Sequence, residues 1–287
     1  MKDYLIYTDS ACDIKPELLA EWGVPYSSLT LRFGDDDEYQ NNEISADEFY
    51  KRMRAGGVAK TAAVNSETFK EEFKKVIEQG YDVLYLGFSS GLSTTFNSAR
   101  IAANELKEEY ADARVEVVDT LSASAGFGLL LYLVYQKKNE GASIDEAKEY
   151  ALSLVPKMCH WFTVDDLVYL QRGGRISKVA AFVGTALGVK PVLHMDDAGH
   201  LVARAKVRGR RNAITALADR YGELADDPKG GTVFISNADC IDDAKLLEKM
   251  LADRYGASVS IITDVGPVIG AHAGPGTLAL FFVGKNR

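Results

Sequence analysis

The run Phe88-Ser89-Ser90-Gly91-Leu92-Ser93-Thr94-Thr95 places hydroxyls and one glycine between a strand-like stretch and a helical one. At such a junction the free backbone N–H groups and the helix dipole attract anions. Ser93, Thr94 and Thr95 add hydroxyl donors, and Gly91 permits a tight backbone approach or a positive φ. An ordinary βα turn with a serine N-cap reads the same way. The Gly-Lys-Ser/Thr ending of a phosphate loop is absent, and so is GxGxxG. A carboxylate or a single phosphate therefore fits at least as well as a nucleotide.

Lys60-Thr61-Ala62-Ala63 precedes a helical stretch and can present the Thr61 hydroxyl to the same site. Thr8-Asp9-Ser10 and Asp119-Thr120-Leu121-Ser122 fall at the C-terminal ends of expected strands, where parallel sheets bind ligands. Asp9 and Asp119 fit either catalytic or metal-binding carboxylates, or loop caps that accept backbone N–H bonds. The histidines are His160, His194, His200 and His272, and no pair has HExxH or other metal-ligand spacing. His272 is centred in Gly266-Pro267-Val268-Ile269-Gly270-Ala271-His272-Ala273-Gly274-Pro275-Gly276, read as a loop. Its imidazole can bond an anion or a backbone carbonyl.

Tyr169-Leu170-Gln171-Arg172-Gly173-Gly174-Arg175-Ile176-Ser177 is the clearest cationic site, with Arg172 and Arg175 flanking a Gly-Gly turn. Guanidinium groups bind phosphates and carboxylates bidentately. Arg204 to Arg211 is a second basic run, and Asp35-Asp36-Asp37-Glu38 reads as a solvated acidic turn. A nucleophile elbow, a Cys/His pair and a carboxylate cluster at metal spacing are all missing from the pattern. Cys12, Cys159 and Cys240 form no CxxC pair and read as buried small hydrophobes in a reducing cytosol.

These residues need a scaffold. The chain has 287 residues, 47% hydrophobic and 26% charged, which excludes disorder, collagen-like repeats and a disulfide framework. A net charge of −8 disfavours nucleic acid and anionic lipid as partners. Met1 to Ser10 lacks a basic stretch followed by a long apolar run, so a cytoplasmic protein is expected. Phe127 to Tyr135 is apolar but too short to span a bilayer and reads as a buried helix.

Strands are expected at Leu5 to Tyr7, Val83 to Phe88 and Val115 to Val118, each followed by a helix, which indicates a parallel sheet. Ser45 with Glu48 and Ser143 with Glu146 have capping-box spacing, and Ser66 reads as an N-cap before Glu67 to Ile77. Further on, Val189 to Met195 and Leu201 to Lys206 form an expected hairpin. Helices Arg211 to Leu224 and Asp242 to Tyr255 alternate with strands Thr232 to Ser236, Ser258 to Thr263 and Thr277 to Val283. The expected division is an α/β domain over residues 1–158 and an α+β domain over 159–287.

Together these motifs resemble the DegV family, fatty-acid-binding proteins that include the acyl-carrier subunits of bacterial fatty acid kinase. The resemblance spans nearly the whole chain. It rests on Thr8 to Asp13, Ser90-Gly91-Leu92-Ser93, Asp119-Thr120, Tyr169 to Ile176, Lys190-Pro191-Val192-Leu193 and Gly270 to Gly276, in that order. It implies a two-domain fold, with a parallel α/β sheet domain and a mixed α+β domain. A long-chain fatty acid such as palmitate is then expected between them.

In the family the carboxylate is held by the threonine of a Thr-Ser-Gln-Pro segment, the second serine of Ser-Gly-Leu-Ser and the histidine of the Gly-Pro-rich segment. These correspond to Thr61, Ser93 and His272, with Ala62 and Thr94 as additional loop contacts. Here Ala62-Ala63-Val64 replaces Ser-Gln-Pro, and Thr94 stands where the family usually has glycine. The resemblance further implies no cofactor or metal, no stable membrane insertion, and a separate kinase that phosphorylates the bound acyl carboxylate. Arg172 and Arg175 are then candidates to contact that kinase or the acyl phosphate. The alternatives are a phosphotransfer or hydrolase enzyme using Asp9, Asp119 or His272, and a purely regulatory protein.

Overall fold

A computed structural model describes residues 3–35, 38–110, 112–176 and 188–287. Met1, Asp36, Asp37 and Ser177, named above, lie outside the described residues. The early strands are β1 (Tyr4–Asp9), β2 (Tyr26–Ser27), β3 (Thr30–Phe33), β4 (Tyr39–Gln40), β5 (Ala59–Ala62), β6 (Asp82–Gly87) and β7 (Val115–Asp119). The later ones are β8 (Met158–Thr163), β9 (Val189–Met195), β10 (Leu201–Arg208), β11 (Val233–Asn237), β12 (Val259–Asp264) and β13 (Leu278–Val283).

The first sheet has the order β2-β1-β6-β7 and is parallel throughout, as strand-then-helix repetition predicts. Every residue of β6 is buried, which is why Val83 to Leu86 form an unbroken apolar run rather than an alternating one. The second sheet has the order β10-β9-β8-β13-β11-β12 and is mixed, with only β11 and β12 parallel to each other. The expected hairpin is present: Leu201 pairs with Met195, and the register shifts between Ala203 and Ala205.

Period-two alternation sorts this second sheet into two faces. Cys159, Trp161, Leu278, Leu280, Val233 and Ile235 point to one face and join an apolar cluster with helices Arg210–Leu224 and Ile241–Tyr255. His160, Phe162, Ala279, Phe281, Phe234 and Ser236 occupy the alternate positions. Phe162, Ala279, Phe281 and Phe234 from this face belong to one continuous apolar cluster with Tyr7, Leu84 and Leu86 of the parallel sheet. Helix Ser124–Asn139 packs in that layer, with Phe127, Leu129, Leu130, Leu131 and Val134 all buried, so its apolar run is core. Among the described residues no helix is long and apolar enough to cross a membrane.

The third sheet, β4-β3-β5, is antiparallel and departs from the sequence reading. Its strands are two to four residues long and half exposed, and Ala-Lys-Thr-Ala lacks a β-branched run. Thr61 therefore sits on a strand, paired with Leu31, and not in a loop. His272 likewise belongs to a helix, Pro267–Ala273, and not to a loop. The Gly-Pro punctuation marks the ends of that helix: Pro267 occupies its first turn, and Gly274, at φ 81°, ends it.

The expected caps at Ser45 and Ser143 are present, the latter as a complete capping box. At the helix Ser66–Glu78, however, Asn65 is the cap, accepting from the Thr68 N–H at 2.8 Å. Cys12 and Cys159 are buried, whereas Cys240 is half-buried, its thiol 3.3 Å from the Thr277 carbonyl.

Candidate functional site

A cavity of about 440 Å³ lies between the parallel sheet's loops and the inward face of the mixed sheet. Its volume is in the usual range for a small-molecule site, about 300–1,000 Å³. The floor comes from the alternating positions of three strands: His160 and Phe162, Ala279 and Phe281, and Ser236. Phe281 is in register with His160, Ala279 with Phe162, and Ser236 with Ala279, so the floor is a continuous patch of sheet. Leu29, Met195, Leu201, Val268 and Ile269 supply further apolar wall.

Into this apolar chamber the fold brings a small polar group. Thr61 arrives on β5 and His272 on the helix Pro267–Ala273. Thr61 Oγ1 and His272 Nε2 are hydrogen-bonded at 2.8 Å. Ser93 and Thr94 line the same cavity from the loop between β6 and the helix Thr95–Glu109. Ser93 Oγ accepts from the Thr95 N–H at 3.2 Å and lies 2.9 Å from Thr95 Oγ1, while Thr94, the N-cap residue, makes no side-chain cap bond. Ala62 and Ala63 also face the cavity.

The two arginines separate. Arg175 lines the cavity, and its Nε donates to the Leu92 carbonyl at 3.2 Å. Arg172 is exposed and lies over the Tyr169 ring, 5.9 Å from its centroid. Burial first, then the Arg175 charge, pushes the His272 pKa down to about 4, so its ring is neutral near pH 7. The set thus offers the hydroxyls of Thr61, Ser93 and Thr94, a neutral imidazole and one cation, which suits a single anionic head group.

Asp9 and Asp119 do not line the cavity. Asp9 is fully buried and accepts from Tyr85 OH at 2.7 Å, Phe88 N at 2.9 Å and Ala11 N at 3.0 Å. Burial raises its pKa to about 6 against the opposing pull of those bonds. Asp119 Oδ1 accepts from Ser90 N at 3.2 Å and Leu121 N at 3.1 Å. Both carboxylates tie down the loops that shape the site, the loop-capping alternative of the sequence reading. Gly91 serves a close approach: a Cβ there would lie 2.8 Å from the carbonyl oxygens of Ala198 and Gly199 at the β9–β10 hairpin tip.

Sequence reasoning did not single out His160, Ser124 and Ser236 as cavity residues. Ser124 Oγ donates to Asp13 Oδ2 at 2.5 Å and lies 3.1 Å from Ser236 Oγ. His160 Nδ1 is 3.0 Å from the Met158 carbonyl, and its ring meets Phe281 edge-on at 5.4 Å. The signal for His160 and Ser236 was their parity within strands whose alternate residues are core. Among the described residues no three His, Cys, Asp or Glu side chains are grouped to hold a metal ion.

The whole chain, not only this site, has close relatives. A DegV domain-containing protein of Clostridium perfringens is 41% identical over 100% of this chain and 99% of its own length. A fatty acid-binding protein of Thermotoga maritima is 35% identical, covering 95% of each chain. The crystal structure of a stearic acid-binding protein from Eubacterium ventriosum superimposes with a TM-score of 0.88 at 27% identity, covering 98% of each chain. The sequence profile described as an uncharacterised protein family, DegV, matches residues 4–285. With the fold, the order of motifs and the full-length match in agreement, this chain belongs to the DegV family.

Proposed function

We propose that this protein binds one long-chain fatty acid, such as palmitate, in the cavity and carries it in the cytoplasm. The observation that carries this reading is the Thr61–His272 hydrogen bond at 2.8 Å on the wall of an otherwise largely apolar chamber. Relatives described as fatty acid-binding proteins support it. Residues 1–158 and 159–287 are the two domains that flank the ligand in this reading.

The physical division of labour is simple. Each buried CH₂ contributes about 0.8 kcal/mol before ordering costs. The carboxylate loses its hydration and needs donors in return. Thr61 and Ser93 supply hydroxyls. With its proton on Nε2, neutral His272 donates to Thr61 Oγ1, which frees the threonine hydrogen for the carboxylate. Arg175 adds the compensating charge. Ala62 and Thr94 shape the rim, and their small or hydroxyl side chains leave the head group accessible.

The protein is a carrier in this reading, and a separate kinase subunit phosphorylates the acyl carboxylate at the cavity rim. In this reading Arg175, on the cavity wall, stabilises the acyl phosphate, and exposed Arg172 contacts the kinase. The engagement of Asp9 and Asp119 in loop bonds favours a carrier over a hydrolase built on those carboxylates. Native mass spectrometry of the purified protein, followed by denaturation and lipid analysis, tests the reading. One equivalent of a long-chain fatty acid is expected. Absence of any acyl ligand, with no uptake of added palmitate, would overturn it.

A further inference from the structure

Gly173 and Gly174 close the helix Val168–Arg172, and they serve different purposes. Gly174 has φ 69°, the left-handed region, and the Arg175 N–H reaches back to the Leu170 carbonyl at 3.1 Å. That is the glycine a helix C-terminus commonly requires. Gly173 has φ −71° and ψ −15°, values that alanine adopts freely. Its backbone gives no reason for a glycine.

Its surroundings do. A Cβ on residue 173 would lie 2.2 Å from His272 Nδ1 and 3.1 Å from Cγ of the same ring. His272 Nδ1 is buried and makes no hydrogen bond among the described residues, so contact with this turn positions the ring on that side. The other ring nitrogen is on Thr61. The Gly173 carbonyl also accepts from Arg175 Nη1 at 2.5 Å, and Arg175 Nε reaches the carbonyl of Leu92, next to Ser93. One residue without a side chain therefore touches the imidazole and orients the cation of the same site.

We propose that Gly173 is a positioning residue for the head-group site: its missing side chain lets His272 seat with Nε2 on Thr61, and so sets the preference for an acid over a neutral head group. The preference rests on the fatty acid reading above; the seating of the ring does not.

The test uses the full chain as Gly173→Ala, His272→Ala and the double variant. Histidine ring NMR signals are followed without ligand, His272 being assigned from its absence in His272→Ala. Affinities for stearic acid and stearyl alcohol are then compared by displacement. Gly173→Ala should move the His272 ring signals and lower the acid-over-alcohol ratio about tenfold, the scale of one charge-assisted hydrogen bond. In the His272→Ala background the same substitution should leave the ratio unchanged. Unmoved ring signals, or an equal loss of ratio in both backgrounds, would overturn the proposal. Should Gly173→Ala fail to fold, a folded double variant supports the clash with His272 and an unfolded one overturns it. A parent protein that binds neither ligand would count against the fatty acid reading, while the ring signals still decide the seating of His272.

Discussion

Thr61 and His272 are 211 positions apart in the chain, and their side chains meet at 2.8 Å. The bond joins the small antiparallel sheet to a helix that packs on it. If this pair holds a carboxylate with Ser93, removing either hydroxyl should cost acid binding more than alcohol binding. Hydrogen bonds to charged groups are worth about 1.5–3 kcal/mol, so Thr61→Ala or Ser93→Ala should lower acid affinity at least about tenfold. Stearyl alcohol should bind nearly as before. Calorimetric titration of both ligands checks this, and an unchanged acid-over-alcohol ratio would remove these residues from the head-group site.

The pair also marks the limit of sequence reading. Apolar runs ending in Thr8-Asp9-Ser10 and Ser89-Ser90-Gly91 made β1 and β6 legible, because parallel strands buried on both faces read as continuous apolar runs. Ser45 and Ser143 were legible as caps because their glutamate partners sit at fixed spacing. β5 was not, since Ala-Lys-Thr-Ala owes its strand state to pairing with β3 and not to its own propensity. The helix carrying His272 looked like a loop because glycine and proline punctuate helix ends as readily as turns. Nor does spacing alone say that Arg175 faces the cavity while Arg172 faces outward, on either side of so short a turn.

Asp13 should give the protein an unusual pH response. It is buried, and that burial raises its pKa to about 8, partly offset by the Ser124 hydrogen bond. The folded state then holds a proton that the unfolded carboxyl releases near its ordinary value, so stability falls as pH rises towards about 8. Asp9, at about 6, acts with the same sign over a lower window. Buried His194, pushed down to about 4, acts oppositely: the unfolded ring takes the proton first, so stability rises with pH between about 4 and 6.5. Of these groups Asp13 alone titrates from about 6.5 to 8. The melting temperature should decline over that interval, and Asp13→Asn should flatten it. A decline that survives in Asp13→Asn would refute the assignment.

Asp9 should prove structural. Asp9→Ala strands three donors, the Tyr85 hydroxyl and the Phe88 and Ala11 amides, in a fully buried place. Each unmade bond costs about 1–3 kcal/mol, so a loss of at least about 3 kcal/mol is expected in urea unfolding. Where the variant remains folded, its preference for acid over alcohol should be unchanged, because Asp9 does not line the cavity. A stable variant that had lost acid preference would restore the carboxylate to the chemistry.

Ala279 should set how much chain the cavity admits. It lies on β13 with its methyl on the cavity floor, in register with Phe162 on one side and Ser236 on the other. Its strand is held by sheet hydrogen bonds to β8 on one side and β11 on the other, so the floor cannot retreat to accommodate a larger group. Ala279→Leu points its added carbons into the cavity, since 279 shares the parity of Phe281. An empty cavity tolerates filling, so the melting temperature of ligand-free protein should hold or rise. The acyl chains recovered on denaturation should shift to shorter lengths, and competition between myristate and stearate should tilt towards myristate. Unaltered chain selection would mean that the acyl tail does not run over this part of the floor.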